Sequence, residues 1–246
     1  KYQPNGTKDW TKLLGNSSGF DISYGVAISS DGSIYITGIT NGDPFFGTSP
    51  TDVFLTKYQP NGTKDWTKLL GNSSDSDSSY GVAISPDEES IYITGITTGD
   101  LDGQTNMGGN DTFLAKYDTQ GNKDWTKLLG TSSYDSSNGL AISSDGNIYI
   151  TGITNGNLDG QTNSGSNDAF LTKYNSEGIK QWTQLLGSSS YERSNGVAIS
   201  SDGYIYITGV TNGNLDGQTN MGNNDDAFLT KYNSEGIKQW TQLLGS

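Results

Sequence analysis

The residues best suited to chemistry lie in a motif that recurs three times, as NGNLDGQTN at 155–163 and 212–220 and as TGDLDGQTN at 98–106. Oxygen-bearing side chains at positions one, three and five, followed by glycine, are the pattern of a loop that wraps a hard cation. The candidate ligands on that reading are Asn155, Asn157 and Asp159, then Asn212, Asn214 and Asp216, and Asp100 with Asp102. The candidate cofactor is Ca²⁺. Position twelve, where such loops place a bidentate glutamate, is Ser166 in one copy and Asn223 in another. Asn, Asp and Gly also build turns with positive φ, so a plain loop accounts for the same residue types and stands ahead of calcium.

A second set follows the motif. Asp111, Asp168 and Asp226 stand just before an apolar run, with Asp52 equivalent to them in the first copy. They are candidate ligand-binding residues, a ring of polar contacts for a sugar or a metal, although an aspartate there also caps a loop by accepting backbone N–H bonds. The first copy replaces the motif with NGDPFFGTSPT, which places Phe45 and Phe46 where they could stack on a sugar, anchor a partner or cover the end of a sheet. Catalysis has little to draw on. Histidine and cysteine are absent, which removes the usual nucleophile and base pairs, and no glycine-rich phosphate loop leads into a helix. A glycosidase or lyase working with carboxylates alone remains as a third class.

Charge narrows the partners. A net charge of −13, with the 14 basic residues scattered singly, argues against nucleic acid. No apolar run approaches the length of a transmembrane segment. Without cysteine there are no disulfides, and the redox compartment stays open.

The elements that carry these loops are set by a repeat. Trp10, Trp66, Trp125, Trp182 and Trp240 are spaced by 56, 59, 57 and 58 residues, and residues 173–188 and 231–246 are identical. Each period holds four strand signals separated by turn chemistry. In the last copy they are GVAIS at 196–200, YIYITGVT at 204–211, AFLTKYN at 227–233 and IKQWTQLL at 237–244, with Asp202-Gly203 and Glu235-Gly236 as tight turns. The small residues of GVAIS suit an innermost strand, the two-sided apolar second strand suits a sandwiched position, and the Lys- and Gln-bearing fourth strand suits an exposed edge. The tryptophans, fixed within that strand, read as packing. This is the pattern of an all-β fold, a β-propeller of four-stranded antiparallel blades. It has four complete blades plus one extra N-terminal outer strand at residues 6–14, with repeats at approximately 1–56, 57–115, 116–172, 173–230 and a partial 231–246.

The run SSDGNIYITGITNGNLDGQTNSGSNDAFLTKYN at 143–175, with its counterparts at 85–118 and 200–233, resembles the bacterial and archaeal SBBP β-propeller repeats. The resemblance covers essentially the whole chain. It implies a propeller within large secreted or cell-surface proteins, and it implies no single activity. Three closures stay open: a four-bladed ring, a segment of a longer propeller, and assembly with copies of the same chain. The segment is the preferred reading, because Lys1-Tyr2 is the tail of a third strand. All long loops are expected on one face of the disc, at 41–51, 98–111, 155–167 and 212–225 together with serine-rich stretches near 15–23, 71–79, 130–137 and 187–194. The leading expectation is a non-enzymatic extracellular or cell-surface scaffold for protein, glycan or copies of itself. A calcium-assisted carbohydrate-binding propeller is the alternative.

Overall fold

The computed structural model describes residues 1–15, 19–41, 51–72, 74–221 and 225–245. Within them, four antiparallel sheets follow one another along the chain. The first blade comprises β1 (Asp21–Ile28), β2 (Ile34–Thr40), β3 (Asp52–Tyr58) and β4 (Lys64–Leu70). The second comprises β5 (Asp77–Ile84), β6 (Ser90–Thr97), β7 (Asp111–Asp118) and β8 (Lys123–Leu129). The third has β9 (Asp135–Ile142), β10 (Ile148–Thr154), β11 (Asp168–Tyr174) and β12 (Lys180–Leu186). The fourth has β13 (Glu192–Ile199), β14 (Ile205–Thr211), β15 (Asp226–Tyr232) and β16 (Lys238–Leu244). In every blade the strands pair in chain order, inner to outer. No helix among these residues is long and apolar enough to cross a membrane.

Burial follows position in the blade. β10 is buried along its whole length, because a sheet lying between two others must be apolar on both faces. β12 exposes Lys180 and Gln181 at the rim while turning Leu186 inward. Three separate apolar cores result, each between two neighbouring blades. Val53, Leu55 and Leu70 meet Ile91, Ile93 and Phe113 at the first junction. Leu114 and Leu129 meet Ile148, Ile150 and Phe170 at the second, and Leu171 and Leu186 meet Ile205, Ile207 and Phe228 at the third.

The tryptophans serve these junctions, as their fixed strand position suggests. Trp66, Trp125 and Trp182 each lie about 6 Å from a tyrosine of their own blade, Tyr35, Tyr92 and Tyr149. Each indole also covers a turn glycine of the next blade, Gly121, Gly178 and Gly236 respectively.

The inner strands begin earlier than their apolar letters suggest. β9 starts at Asp135, inside a serine-rich stretch that reads as loop. Serine is a poor strand former, but here its hydroxyl is used: Ser137 Oγ donates to Gly95 O of the preceding blade at 3.0 Å, so cross-blade bonding offsets the weak propensity. A bulge follows, with Thr151 opposite Gly139 and Gly152 opposite Ser137. It presses the backbone of the inner strand onto its neighbour. A Cβ on Gly152 would stand 1.9 Å from Ser136 O, and the equivalent glycines 38, 95 and 209 face a carbonyl at 1.9, 1.8 and 1.9 Å.

Residues 1–10 take the place of a preceding blade's third-to-fourth hairpin. Gln3 N donates to Thr7 O and Gly6 N to Gln3 O, both at 2.9 Å, as Gln59 N does to Thr63 O and Gly62 N to Gln59 O. Trp10 covers Gly62 as the later tryptophans cover theirs. The outer strand expected over residues 6–14 does not form as a regular strand, and only a Tyr2–Lys8 bridge is made. An outer strand takes its hydrogen bonds from the strand beside it, and here Lys1 and Tyr2 are all that stand there.

β1 packs on β5, β5 on β9 and β9 on β13, while no such packing joins β13 to β1. Among the described residues the ring of inner strands is therefore open. The bulge gives the first prediction. Gly152→Ala forces Cβ into a backbone carbonyl that the sheet cannot move, and costs roughly 3 kcal/mol or more. Circular-dichroism melting is expected to show a midpoint lowered by about 10 °C.

Candidate functional site

The long connections gather at one end of the blades, between the second and third strands and between one blade and the next. The LDGQ segments are two-residue hairpins. Asp159 and Gly160 have φ of 53° and 76°, Asp216 and Gly217 of 51° and 76°, and Asp102 and Gly103 of 52° and 72°, the double left-handed pair of a type I′ turn. Leu101 N and Gln104 O, 3.1 Å apart, close one of them. The leucine before each turn, Leu101, Leu158 or Leu215, is buried in a junction core and holds the hairpin down.

The hairpin then clasps the outer strand of its own blade. Asp159 accepts from Lys180 Nζ through Oδ1 and from Thr183 Oγ1 through Oδ2. Asp216 does the same with Lys238 and Thr241, and Asp102 with Lys123 and Thr126. Gln161 bonds the strand's backbone, donating to Thr183 O and accepting from Leu185 N at 3.2 Å. Gln218 repeats this with Thr241 O and with Leu243 N at 3.0 Å. These are main-chain groups of an edge that would otherwise be unpaired.

The remaining oxygens of the expected cation loop are also engaged. Asn157 Oδ1 accepts from Asn163 N, Asn214 Oδ1 from Asn220 N and Asp100 Oδ1 from Asn106 N, at 2.8 to 2.9 Å. Asn155 Oδ1 accepts from Asn167 Nδ2, and Asn212 Oδ1 from Tyr191 N at 3.0 Å. The three loops thus direct these oxygens at the protein itself, as the plain-loop reading expects of them. Among the described residues, no three acidic side chains gather about one point. Phe45 and Phe46 lie outside the described residues.

Asp111, Asp168 and Asp226 are buried. Each accepts one loop N–H through Oδ2: Met107 N at 2.8 Å, Ser164 N at 3.0 Å and Met221 N at 2.9 Å. Buried at the head of the third strand, Asp111, Asp168 and Asp226 cap the loop from inside, one of the two roles expected for them. Asp52 opens β3 in the same position and is half-buried.

Three of these aspartates, Asp52, Asp111 and Asp168, have an acidic neighbour that the sequence alone did not single out: the first residue of the next inner strand. Asp77 N donates to Thr51 O and Asp135 N to Asn110 O at 2.7 Å, and Glu192 N donates to Asn167 O at 2.9 Å. That bond crosses the junction one residue before the aspartate, and brings together Asp52 with Asp77, Asp111 with Asp135, and Asp168 with Glu192. The signal was an acidic residue five or six positions after each LLG, hidden among serines.

Like charges in a dry place raise one another's pKa. Burial pushes Asp111 above the usual carboxylate range and the charge of Asp135 adds to it. Burial likewise raises Asp168, with Glu192 adding to it. Asp135 is raised by burial, against bonds from Thr154 and Thr131. Asp77 is pushed up to about 7 by burial, then by the charges of Asp52 and Asp75, with Thr97 and the Asn72 amide pulling the other way. An acid raised by folding supports the native state fully below its unfolded pKa of 3.8, and this support is lost as pH rises through about 7. In chelator, the melting midpoint is expected to fall between pH 5 and pH 8. Asp77→Asn, which cannot ionise, is expected to fall by less over the same window.

Comparison with known proteins gives four matches to the SBBP β-propeller repeat, at residues 9–46, 65–102, 124–159 and 181–216. A regulatory protein, FlaEY, of Caulobacter vibrioides is 28% identical over 189 residues, 69% of this chain and 20% of that protein. An uncharacterised WD repeat-containing protein, L264, of Acanthamoeba polyphaga mimivirus is 26% identical over an alignment covering 85% of this chain and 20% of its own length. The chain thus spans about a fifth of these relatives. The repeat matches cover more than half of the sequence, each one running from an outer strand through the inner hairpin of the following blade, and the chain belongs to the SBBP β-propeller repeat family.

Proposed function

We propose that this chain is a non-enzymatic scaffold module, extracellular or on the cell surface, that works by docking its two open blade faces onto further blades of the same kind. The observation that carries this reading is a contrast between equivalent residues. Leu244 of the fourth blade is 78% exposed whereas Leu186 of the third is 2%, and Leu229 is 41% exposed whereas Leu171 is fully buried. On the opposite flank, Val26 and Ile28 are 65% and 66% exposed, while Val82 and Ile84 pack into the first junction core. The two flanks are therefore the two halves of a junction that the chain already makes three times. In isolation, the partner that fits is a second copy of this chain, joined fourth blade to first, whose β15–β16 hairpin displaces residues 1–10 from the place they hold on the first flank.

Several features support a binding role over a catalytic one. The acidic pairs are buried and repeat from blade to blade, whereas a catalytic centre needs an asymmetric, accessible pair. The name of the Caulobacter relative, a regulatory protein, fits a role in interaction. The long-loop end is rich in Asn, Ser and Gly and offers the surface on which a protein or glycan partner would rest.

Light scattering coupled to size exclusion tests the docking. The chain is expected to form dimers or larger species at micromolar concentration, and Val26→Asp and Leu229→Asp, each on one flank, are expected to return it to a monomer. A wild-type chain that stays monomeric at high concentration would rule out docking between copies.

A further inference from the structure

The acidic pairs between blades hold oxygens that the fold leaves unused. Asp135 N donates to Asn110 O at 2.7 Å, so Asp111 and Asp135 begin neighbouring strands side by side. Asp111 spends Oδ2 on Met107 N, and Asp135 spends Oδ2 on Thr131 N at 2.6 Å and Thr131 Oγ1 at 2.8 Å. The Oδ1 atom of each is sealed from solvent without a hydrogen-bond partner, in side chains 0% and 1% exposed. One blade earlier, Asp77 is fully buried beside Asp52, with Thr97 and the Asn72 amide close by but neither of its oxygens in a hydrogen bond of ordinary geometry. The glycine that follows each outer strand makes room for the carboxylates themselves. A Cβ on Gly130 would lie 2.1 Å from Asp111 Oδ1, and one on Gly71 would lie 2.2 Å from Asp52 Oδ1 and 2.7 Å from Asp77 Oδ2.

An unpaired buried carboxylate costs several kcal/mol, and a second one beside it adds repulsion. Such a pair is relieved by a proton held between the oxygens or by a cation. The donors are hard oxygens, and the chain has no histidine or cysteine to favour a softer metal. The Thr154 hydroxyl stands next to Asp135, within 3.1 Å of both Gly156 N and Gly156 O, and adds a further oxygen beside the same space. Thr97 stands likewise next to Asp77 and donates to Gly99 O at 2.9 Å. Ca²⁺ accepts mixed carboxylate, hydroxyl and water oxygens in irregular geometry, whereas Mg²⁺ demands a strict octahedron. We propose that the Asp111–Asp135 pair, and its equivalent Asp52–Asp77 one blade earlier, are Ca²⁺ sites built into the seams between blades.

The third seam is an internal control. Glu192 replaces the aspartate, and its longer side chain reaches donors that satisfy both oxygens: Ser188 N on Oε2, and Ser188 Oγ and Thr211 Oγ1 on Oε1, each at 2.6 Å. Only Asp168 Oδ1 is left there without a partner, and with both oxygens of its neighbour hydrogen-bonded the seam is expected to bind no ion. The inference is independent of the docking of blade faces.

Isothermal titration of the chelator-stripped chain with CaCl2 tests it, together with thermal unfolding in chelator and in millimolar Ca²⁺. Two ions per chain are expected, with a rise in melting midpoint on the order of 5 °C and a smaller one with MgCl2. Asp135→Asn and Asp77→Asn are each expected to remove one ion, and the double variant both, while Asp159→Asn and Glu192→Gln keep two. An asparagine at 135 removes a buried charge and can donate to Asp111 Oδ1, so the variant in chelator is expected to melt at or above the wild type. This keeps loss of binding readable apart from loss of fold. No heat and no shift with the wild type would overturn the proposal, as would two ions retained by the double variant, a third ion, or loss of binding in Asp159→Asn.

Discussion

Everything in this molecule depends on burying the flat apolar face of one sheet against the next. A four-stranded blade has two such faces and cannot cover either alone, so each core belongs to two blades and no blade owns one. The remaining devices serve that contact. Glycine in the second strand lets the bulged inner strand approach, the tryptophan covers a turn glycine of its neighbour, and a backbone bond from each inner strand reaches back to the preceding blade. Stability is thus distributed over three seams of similar construction, and of the outermost faces the first is met in part by residues 1–10, with Trp10 over Gly62.

The same seams concentrate the charge. Acidic residues open the inner and the third strands, where the loop end of one blade meets the next, and there they replace water as acceptors for loop amides. This arrangement caps long connections without adding apolar residues to the exposed end. Its cost is a pair of like charges in a dry place, and the blades differ in how they meet it. The glutamate at 192 answers with a longer arm and three donors, while the aspartates at 77 and 135 keep oxygens free.

Much of the architecture was legible because tight turns and β-branched runs recur at a fixed period, and both are local signals. The inner strands were legible only in their second halves: GVAIS is apolar, whereas the preceding DSS or ERS is held in the sheet by bonds from another blade, which no local pattern announces. The LDGQ motif stayed ambiguous for a related reason. Asn, Asp and Gly fit both a cation loop and a hairpin, and the deciding residues were the leucine, buried in a seam, and the glutamine, bonded to an edge some twenty residues away. The aspartates at 111, 168 and 226 were correctly placed before the third strand, but their burial depends on the neighbouring blade and was hidden for that reason.

The LDGQ clasp has a consequence for how such discs meet one another. The rim of an ordinary open sheet is a strip of free amides and carbonyls, and two molecules meeting there can zip into a continuous sheet with no fixed stopping point. In the third and fourth blades the clasp lies across that strip, and its glutamine occupies one carbonyl and one amide that a foreign strand would need, while the aspartate beside it ties down lysine and threonine side chains of the same strand. Sideways fusion is hindered along those rims. On the proposed docking, contact between molecules is left to the flat flanks, which match in only one orientation, so a fold assembled from nearly interchangeable parts would acquire a direction of growth.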